Sequence, residues 1–170
     1  FTEKNYKESI NSLNKSLTIF RKAGLRKPII DVLLEMMVIH INFGETDEIR
    51  DFIDEYESES QIMADSGVYT GVIDCIIYYL NAVNKQAQNK ELPEIEELLK
   101  DTNFYEISEI QYISWWILGK AAEVSRDTDR GKRYYSKAIE TINQVGDAIG
   151  DESYKKYFLN KYPHLVSLSS

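Results

Sequence analysis

The sequence has very few of the residues that build disulfide frameworks or metal sites. Its 170 residues include one cysteine and two histidines, so no internal disulfide can form. His40 and His164 are far apart, and neither has a second His or Cys at the spacing of a metal site. Cys75 lies within the apolar run 73–80 and is expected to be a buried thiol in a reducing compartment. We therefore expect no metal and a cytoplasmic location.

Long hydrophobic runs and positive charge are also in short supply. The run 73–80 is the longest apolar stretch, and it is far shorter than the roughly 20 residues that a membrane-spanning helix needs. Twenty Lys and Arg residues stand against 28 Asp and Glu residues, which gives a net charge of −8. A field of that sign repels the phosphate backbone of nucleic acids and anionic lipid surfaces. The composition argues against nucleic acid or a membrane as a partner.

The residue patterns of enzymes are missing as well. There is no Gly-rich phosphate loop, no nucleophile elbow and no Cys–His pair with an orienting acid. The acidic clusters at 47–48 and 94–97 fall in the first turns of predicted helices, where the helix dipole favours carboxylates. We predict that the chain is not an enzyme and uses no cofactor.

Helical periodicity is what the sequence does have. Apolar residues recur every three or four positions almost throughout, and no segment alternates as a strand would. Gly24 and Gly44 are placed to end helices, and Pro28 and Pro93 to begin them. The pattern predicts eight helices, at about 5–23, 28–43, 46–58, 63–86, 93–101, 107–125, 128–146 and 151–161.

The spacing of the helices indicates a repeat. Short connections force neighbouring helices to pack antiparallel. Gly44 and Arg126 stand at equivalent turns, 82 residues apart with one helix pair between them, which implies a repeat of about 41 residues. The predicted fold is an all-α array of stacked helix pairs spanning 1–170. Because the chain begins without Met, we expect it to be part of a longer protein.

One segment carries a recognisable motif. Trp115-x-x-Leu118-Gly119, followed by Gly131, Tyr135 and Ala138, resembles the tetratricopeptide pattern of large residue, Leu-Gly, small residue, aromatic and small residue. At such spacing the two glycines let paired helices approach closely, and the larger residues fill the space beside them. The stretch 5–17 is similar to the second helix of such a repeat, so the chain is expected to begin in mid-repeat.

The middle of the chain departs from that pattern. Met37 stands where the pattern has Gly, and Ile49 and Tyr56 stand where it has small residues. The helices of the pair at 28–58 are therefore expected to lie farther apart. With its longer period, the chain resembles the divergent repeats of bacterial signalling and regulatory proteins. The resemblance implies helix pairs stacked in a right-handed superhelix.

The tetratricopeptide resemblance implies a scaffold that binds a protein, a peptide or another domain of the same polypeptide. In this class the first helix of each pair lines a concave groove. By that register the candidate partner-binding residues are Leu34, Val38, Ile41, Asn42, Ile113, Trp116, Lys120 and Glu123. Such a groove is apolar and aromatic and suits an amphipathic helix or an apolar segment. The alternative is a ligand-sensing regulatory segment of a larger bacterial transcription regulator or signalling ATPase.

The adjacent tryptophans Trp115 and Trp116 allow two interpretations. On a helix they point about 100° apart, so they cannot both face the same core. One of them is then partly exposed and available to a partner. The other interpretation is that both pack between neighbouring repeats.

Overall fold

The computed structural model describes residues 3–62, 66–86, 92–100, 108–149 and 153. These residues form seven helices and contain no strand, which confirms the all-α prediction. The helices are α1 (Glu3–Ala23), α2 (Arg26–Phe43), α3 (Ile49–Ser60), α4 (Ser66–Val83), α5 (Leu92–Lys100), α6 (Ser108–Val124) and α7 (Thr128–Ile149). The eighth predicted helix, 151–161, lies outside the described residues apart from Ser153.

Most helix boundaries fall within three residues of their predicted positions. Asp127 caps α7, because its Oδ1 accepts the backbone N–H of Arg130 at 3.1 Å. Thr46 and Asp47 have capping side chains and stand just before α3, yet neither is its N-cap. The N-cap residue is Glu48, and no side chain of the cap bonds to the helix.

Glycine ends α2 in the way the sequence predicts. Gly44 has a φ of 74°, the left-handed conformation that costs glycine little. Its N–H bonds to the carbonyl of Ile41 at 3.2 Å, and the N–H of Glu45 bonds to the carbonyl of His40 at 3.0 Å. These two bonds form a Schellman motif, which satisfies carbonyls at the end of the helix.

The same motif ends α4 and α6 without glycine. Lys85 and Arg126 have φ values of 54° and 59°. The following residues, Gln86 and Asp127, each bond back to a carbonyl five positions earlier, at 2.9 Å in both cases. α4 therefore ends at Val83, and its predicted extension to 86 is wrong. Three of the four left-handed positions that the structure describes, 44, 85 and 126, are spaced 41 residues apart, and the fourth, Gly24, ends α1.

The chain divides into two compact units, Phe1–Ser66 and Gly67–Ser170. In unit 1, α2 packs against α1 and against α3. α2 is therefore buried along most of its length, and Leu33, Met36 and Met37 are fully enclosed. Arg21 of α1 forms an ion pair with Glu55 of α3. The centre of unit 1 is thus a largely apolar helix that packs against two others.

In unit 2, α6 packs against α7, and every residue from 112 to 119 is buried. Gln111 ties α6 to α5, since its side-chain amide donates to the carbonyl of Leu99 at 2.7 Å. The apolar α4 is buried along most of its described length, and the Cys75 thiol is buried and forms no disulfide, as the sequence predicts.

Candidate functional site

The tightest contact between α6 and α7 joins Gly119 and Tyr135. A β-carbon built on Gly119 would lie 2.4 Å from Cε1 of Tyr135 and 2.6 Å from Cδ1. The aromatic ring therefore occupies the space that any other residue at 119 would need. Gly131 is different, because a β-carbon there would meet only Cβ of Ala122 and the carbonyl of Gly119, both at 3.8 Å. Of the two glycine positions of the motif, only 119 has no room for a larger residue.

The other residues of the motif also lie in the interior of unit 2. All six are buried: Trp115, Leu118, Gly119, Gly131, Tyr135 and Ala138. The ring of Trp115 stacks on Tyr134 of α7, with centroids 5.9 Å apart, and Nζ of Lys137 lies 4.0 Å from the Trp115 centroid. Lysine over the face of an indole is a favourable cation–π arrangement. The seam between α6 and α7 is thus made of aromatic rings, with a cation at its edge.

Tyr134 connects this seam to α5. Its hydroxyl donates to Oε1 of Glu96 at 2.5 Å, and a guanidinium nitrogen of Arg133 donates to the same oxygen at 2.7 Å. Burial, reinforced by the Glu96 carboxylate, raises the pKa of Tyr134. The hydroxyl therefore stays protonated and serves as a donor that joins two helices.

The structure buries most of the predicted partner-binding face. Leu34, Val38, Ile41 and Ile113 are buried, and Trp115 and Trp116 are only 4% and 2% exposed. Of the two interpretations of these tryptophans, the one with a partly exposed ring is therefore wrong, and the one in which both rings are packed agrees with their burial. The physical reason is that α2 and α6 each pack against more than one neighbour, whereas the sequence register assumed one packed side and one open side.

Three predicted residues of that face reach solvent. Asn42 and Lys120 are half-buried, and Glu123 is exposed. Nζ of Lys120 lies 3.3 Å from Oε2 of Glu123 and 5.8 Å from the ring centroid of Trp116. The Glu123 carboxylate adds to the effect of burial in raising the pKa of Tyr79 and Tyr135.

An open groove lies on unit 1, between α1 and α2. Its volume is about 540 Å³. It is lined by Asn5, Glu8, Ser9, Ser12 and Leu13 of α1 and by Glu35 and Ile39 of α2. None of these residues was among the predicted partner-binding residues. A sequence signal that could have indicated the groove is Glu35, the single charged residue of the stretch 32–39 within α2. We call this surface the α1–α2 groove.

The groove combines an apolar floor with acidic side chains. Leu13 and Ile39 are half-buried, Glu35 is half-buried, and Glu8 is exposed. The hydroxyl of Ser12 donates to the backbone carbonyl of Glu8 at 2.9 Å, so it is engaged within its own helix. Such a surface offers apolar contact and negative charge at the same place.

His40 is buried in an aromatic cluster of unit 1. It is 2% exposed, and a hydrogen bond of 3.1 Å joins its Nδ1 to the hydroxyl of Tyr6. The rings of Tyr6, Phe43 and Phe52 pack around this region. Nε2 lies 3.8 Å from Oε2 of Glu48. Burial lowers the pKa of His40, against a smaller opposing effect of Glu48.

Within the described residues, no group of three or more His, Cys, Asp and Glu side chains is arranged to hold a metal ion. His164 lies outside those residues. None of the described helices is long and apolar enough to cross a bilayer.

Comparison with known proteins finds no matching family model, no matching curated protein and no matching solved structure. The likeness to tetratricopeptide repeats therefore depends on the residues and helix ends described above.

Proposed function

We propose that the chain is a tetratricopeptide-like helical repeat segment whose function is to bind another polypeptide. The observation that carries the proposal is the recurrence of one left-handed helix end at Gly44, Lys85 and Arg126, 41 residues apart. A helix pair that recurs at a fixed period is the unit of helical repeat proteins, which typically use extended surfaces to bind other polypeptides.

Side-chain types that often act in catalysis are held in structural contacts in the described residues, and this supports the same proposal. The Tyr134 hydroxyl joins α7 to α5 through Glu96, and His40 is held by Tyr6 within an aromatic cluster. Cys75 is enclosed in the interior. Binding through shape and charge is therefore the function that these surfaces favour.

The predicted partner-binding residues remain part of the proposal in a modified form. A partner can reach Asn42, Lys120 and Glu123 from solvent. Contact with the buried members of the set, such as Trp116, would require helices to move apart.

Peptide display on the full chain tests the proposed function. A library of linear peptides is selected on the immobilised chain, and the enriched peptides are synthesised and titrated by calorimetry. We expect saturable binding with one site per chain and a Kd of about 1–100 μM, since a short peptide orders on binding. Serum albumin, another acidic helical protein, is the control surface. Enrichment no greater than on albumin contradicts the proposed function. A separate protein and another domain of the same polypeptide are both polypeptide partners, so the selection applies to either.

A further inference from the structure

His40 has a buried ring nitrogen without a hydrogen-bond partner among the described residues. The ring is 2% exposed and lies in the last turn of α2. Its Nδ1 is bonded to the Tyr6 hydroxyl at 3.1 Å, whereas Nε2 has no such bond. The Glu48 carboxylate lies 3.8 Å from Nε2, which is too far for a hydrogen bond. The surroundings of the neutral ring are therefore one contact short of complete.

The two charge states of the ring fit these surroundings differently. A neutral imidazole has one N–H and one bare nitrogen, and in either tautomer Nε2 of His40 is left unsatisfied. The imidazolium has an N–H at both positions. The hydroxyl oxygen of Tyr6 can then accept from Nδ1, and Glu48 is the acceptor nearest to hand for Nε2. A charge-assisted bond of this kind is about 2.7–2.9 Å long, so the carboxylate has to approach by about 1 Å.

Glu48 has the freedom to make that approach. Its side chain is 67% exposed, and it makes no capping bond to α3 although Glu48 is the N-cap residue. The backbone at the start of α3 is also loosely held. The bond from the Phe52 N–H to the Glu48 carbonyl is 3.4 Å long, against an ordinary length of about 2.9–3.0 Å. Both the side chain and the backbone at this joint can therefore tighten.

The charged and titratable groups around His40 come from α1 and from the turn before α3. Tyr6 of α1 brings its hydroxyl, and Glu45 and Glu48 of the turn both favour the charged ring. Phe52 of α3 brings an uncharged ring. Burial is the larger influence and opposes the charge, so the ring takes up its proton below its ordinary pKa of about 6.5.

We propose that Glu48 closes on the protonated His40 ring and thereby links the start of α3 to the end of α2. The pair is a proton-operated latch across the turn 44–48, within unit 1. Protonation still lowers the stability of the chain, because the ring is buried, and the ion pair formed by the latch offsets part of that loss. The inference goes beyond the proposed function and does not depend on it.

NMR titration of the imidazole signals tests the latch, since His40 and His164 are the two histidines of the chain. The His40 signal is assigned by its loss in His40→Asn. The natural chain is compared with Glu48→Gln, which keeps the size of the side chain and removes its charge. Asp51→Asn is the control, because it removes one carboxylate at an exposed position in the first turn of α3. We expect the titration midpoint of His40 to fall in Glu48→Gln and to stay unchanged in Asp51→Asn.

Amide hydrogen exchange reports on the joint itself. The measured quantity is the protection factor of the Phe52 amide in the natural chain divided by that in Glu48→Gln. We expect this ratio to be near one at about pH 7.5. Below the His40 midpoint it should rise about two- to fivefold, which is the range expected for an ion pair with one exposed member. Circular dichroism at each pH checks that both proteins are folded.

Three outcomes overturn the inference. An unchanged His40 midpoint in Glu48→Gln would show that the carboxylate does not close on the ring. A fall of equal size in Asp51→Asn would show that the ring senses only the general negative charge. A Phe52 ratio that is the same above and below the midpoint would show that protonation does not tighten the start of α3. None of these outcomes tests polypeptide binding, so the latch and the proposed function fail separately.

Discussion

The ring of Tyr135 lies directly against the backbone of Gly119, so close that no β-carbon fits on the glycine. This contact determines how near α6 can approach α7. It also makes the two glycines of the motif, which the sequence alone treats alike, respond differently to the same substitution.

Gly119→Ala is expected to destabilise the chain although alanine is the better helix former. Overpacking against a buried ring costs about 1–3 kcal/mol, and the gain in helix propensity returns at most about 1 kcal/mol. Gly131→Ala is the control, because ordinary van der Waals space is present there, and we expect it to be neutral or slightly stabilising. Urea midpoints of the two variants measure the difference. Destabilisation by Gly131→Ala as large as that by Gly119→Ala would contradict the contact.

The coupling of the two residues can be tested by a double-mutant cycle. Tyr135→Leu removes the ring, so adding Gly119→Ala to that variant should cost less than adding it to the natural sequence. If the losses in the free energy of unfolding are additive, the ring of Tyr135 is not the group that excludes the β-carbon.

Arg126→Gly and Lys85→Gly are each expected to stabilise the chain. Both residues hold a left-handed conformation that costs a non-glycine residue about 1–2 kcal/mol. After the greater entropy of glycine in the unfolded state is subtracted, a gain of about 0.5–1 kcal/mol remains. Lys132→Gly, within α7, is the control and should lose about 1 kcal/mol. Thermal and urea unfolding give the values, and a loss for Arg126→Gly would show that the left-handed helix end is not formed there.

His40 makes stability depend on pH in a defined direction. Burial lowers the pKa of His40 below its unfolded value of about 6.5, so the unfolded state takes up the proton first. The contribution of neutral, buried His40 to the free energy of unfolding is therefore complete above about pH 6.5. It declines as the pH falls from there toward the lowered pKa of the folded state. His40→Asn, which places at 40 the residue found 41 positions later, removes the titration.

Unfolding in urea at about pH 7.5 and pH 5.5 compares the two proteins. The natural chain is expected to lose more stability on acidification than His40→Asn. Glu45 and Glu48, whose charges act on His40, are the same residues in both proteins, so the comparison reports the change at position 40. If the natural chain instead gains stability relative to His40→Asn on acidification, the burial of a neutral His40 is contradicted.

The sequence predicts best those features that one residue type decides locally. Gly44 ends α2 because glycine adopts the left-handed conformation easily, and the alternation of helices follows from apolar spacing. Lys85 ends α4 in the same conformation, yet nothing in a lysine indicates it, so the helix was predicted too long. The sequence therefore predicts a helix end at a glycine better than a helix end at a residue such as lysine.

The candidate site was less predictable because it depends on how many neighbours each helix has. The exposure of Trp116 cannot be derived from the face of α6 alone, since it depends on which helices surround α6. In the same way, the sequence of α2 alone does not show that Glu35 lines a groove, because the groove also needs Glu8 and Leu13 of α1. The apolar spacing of α2 and α6 predicts an amphipathic face, but the packing of α1, α3 and α7 decides which parts of it remain open.

The most direct test of polypeptide binding is an NMR titration of the ¹⁵N-labelled full chain with a peptide enriched by display. We predict saturable shifts of a clustered set of backbone amides, with the same dissociation constant at each amide. Shifts that do not saturate, or no shifts at a peptide concentration about tenfold above the calorimetric Kd, would contradict the proposed function.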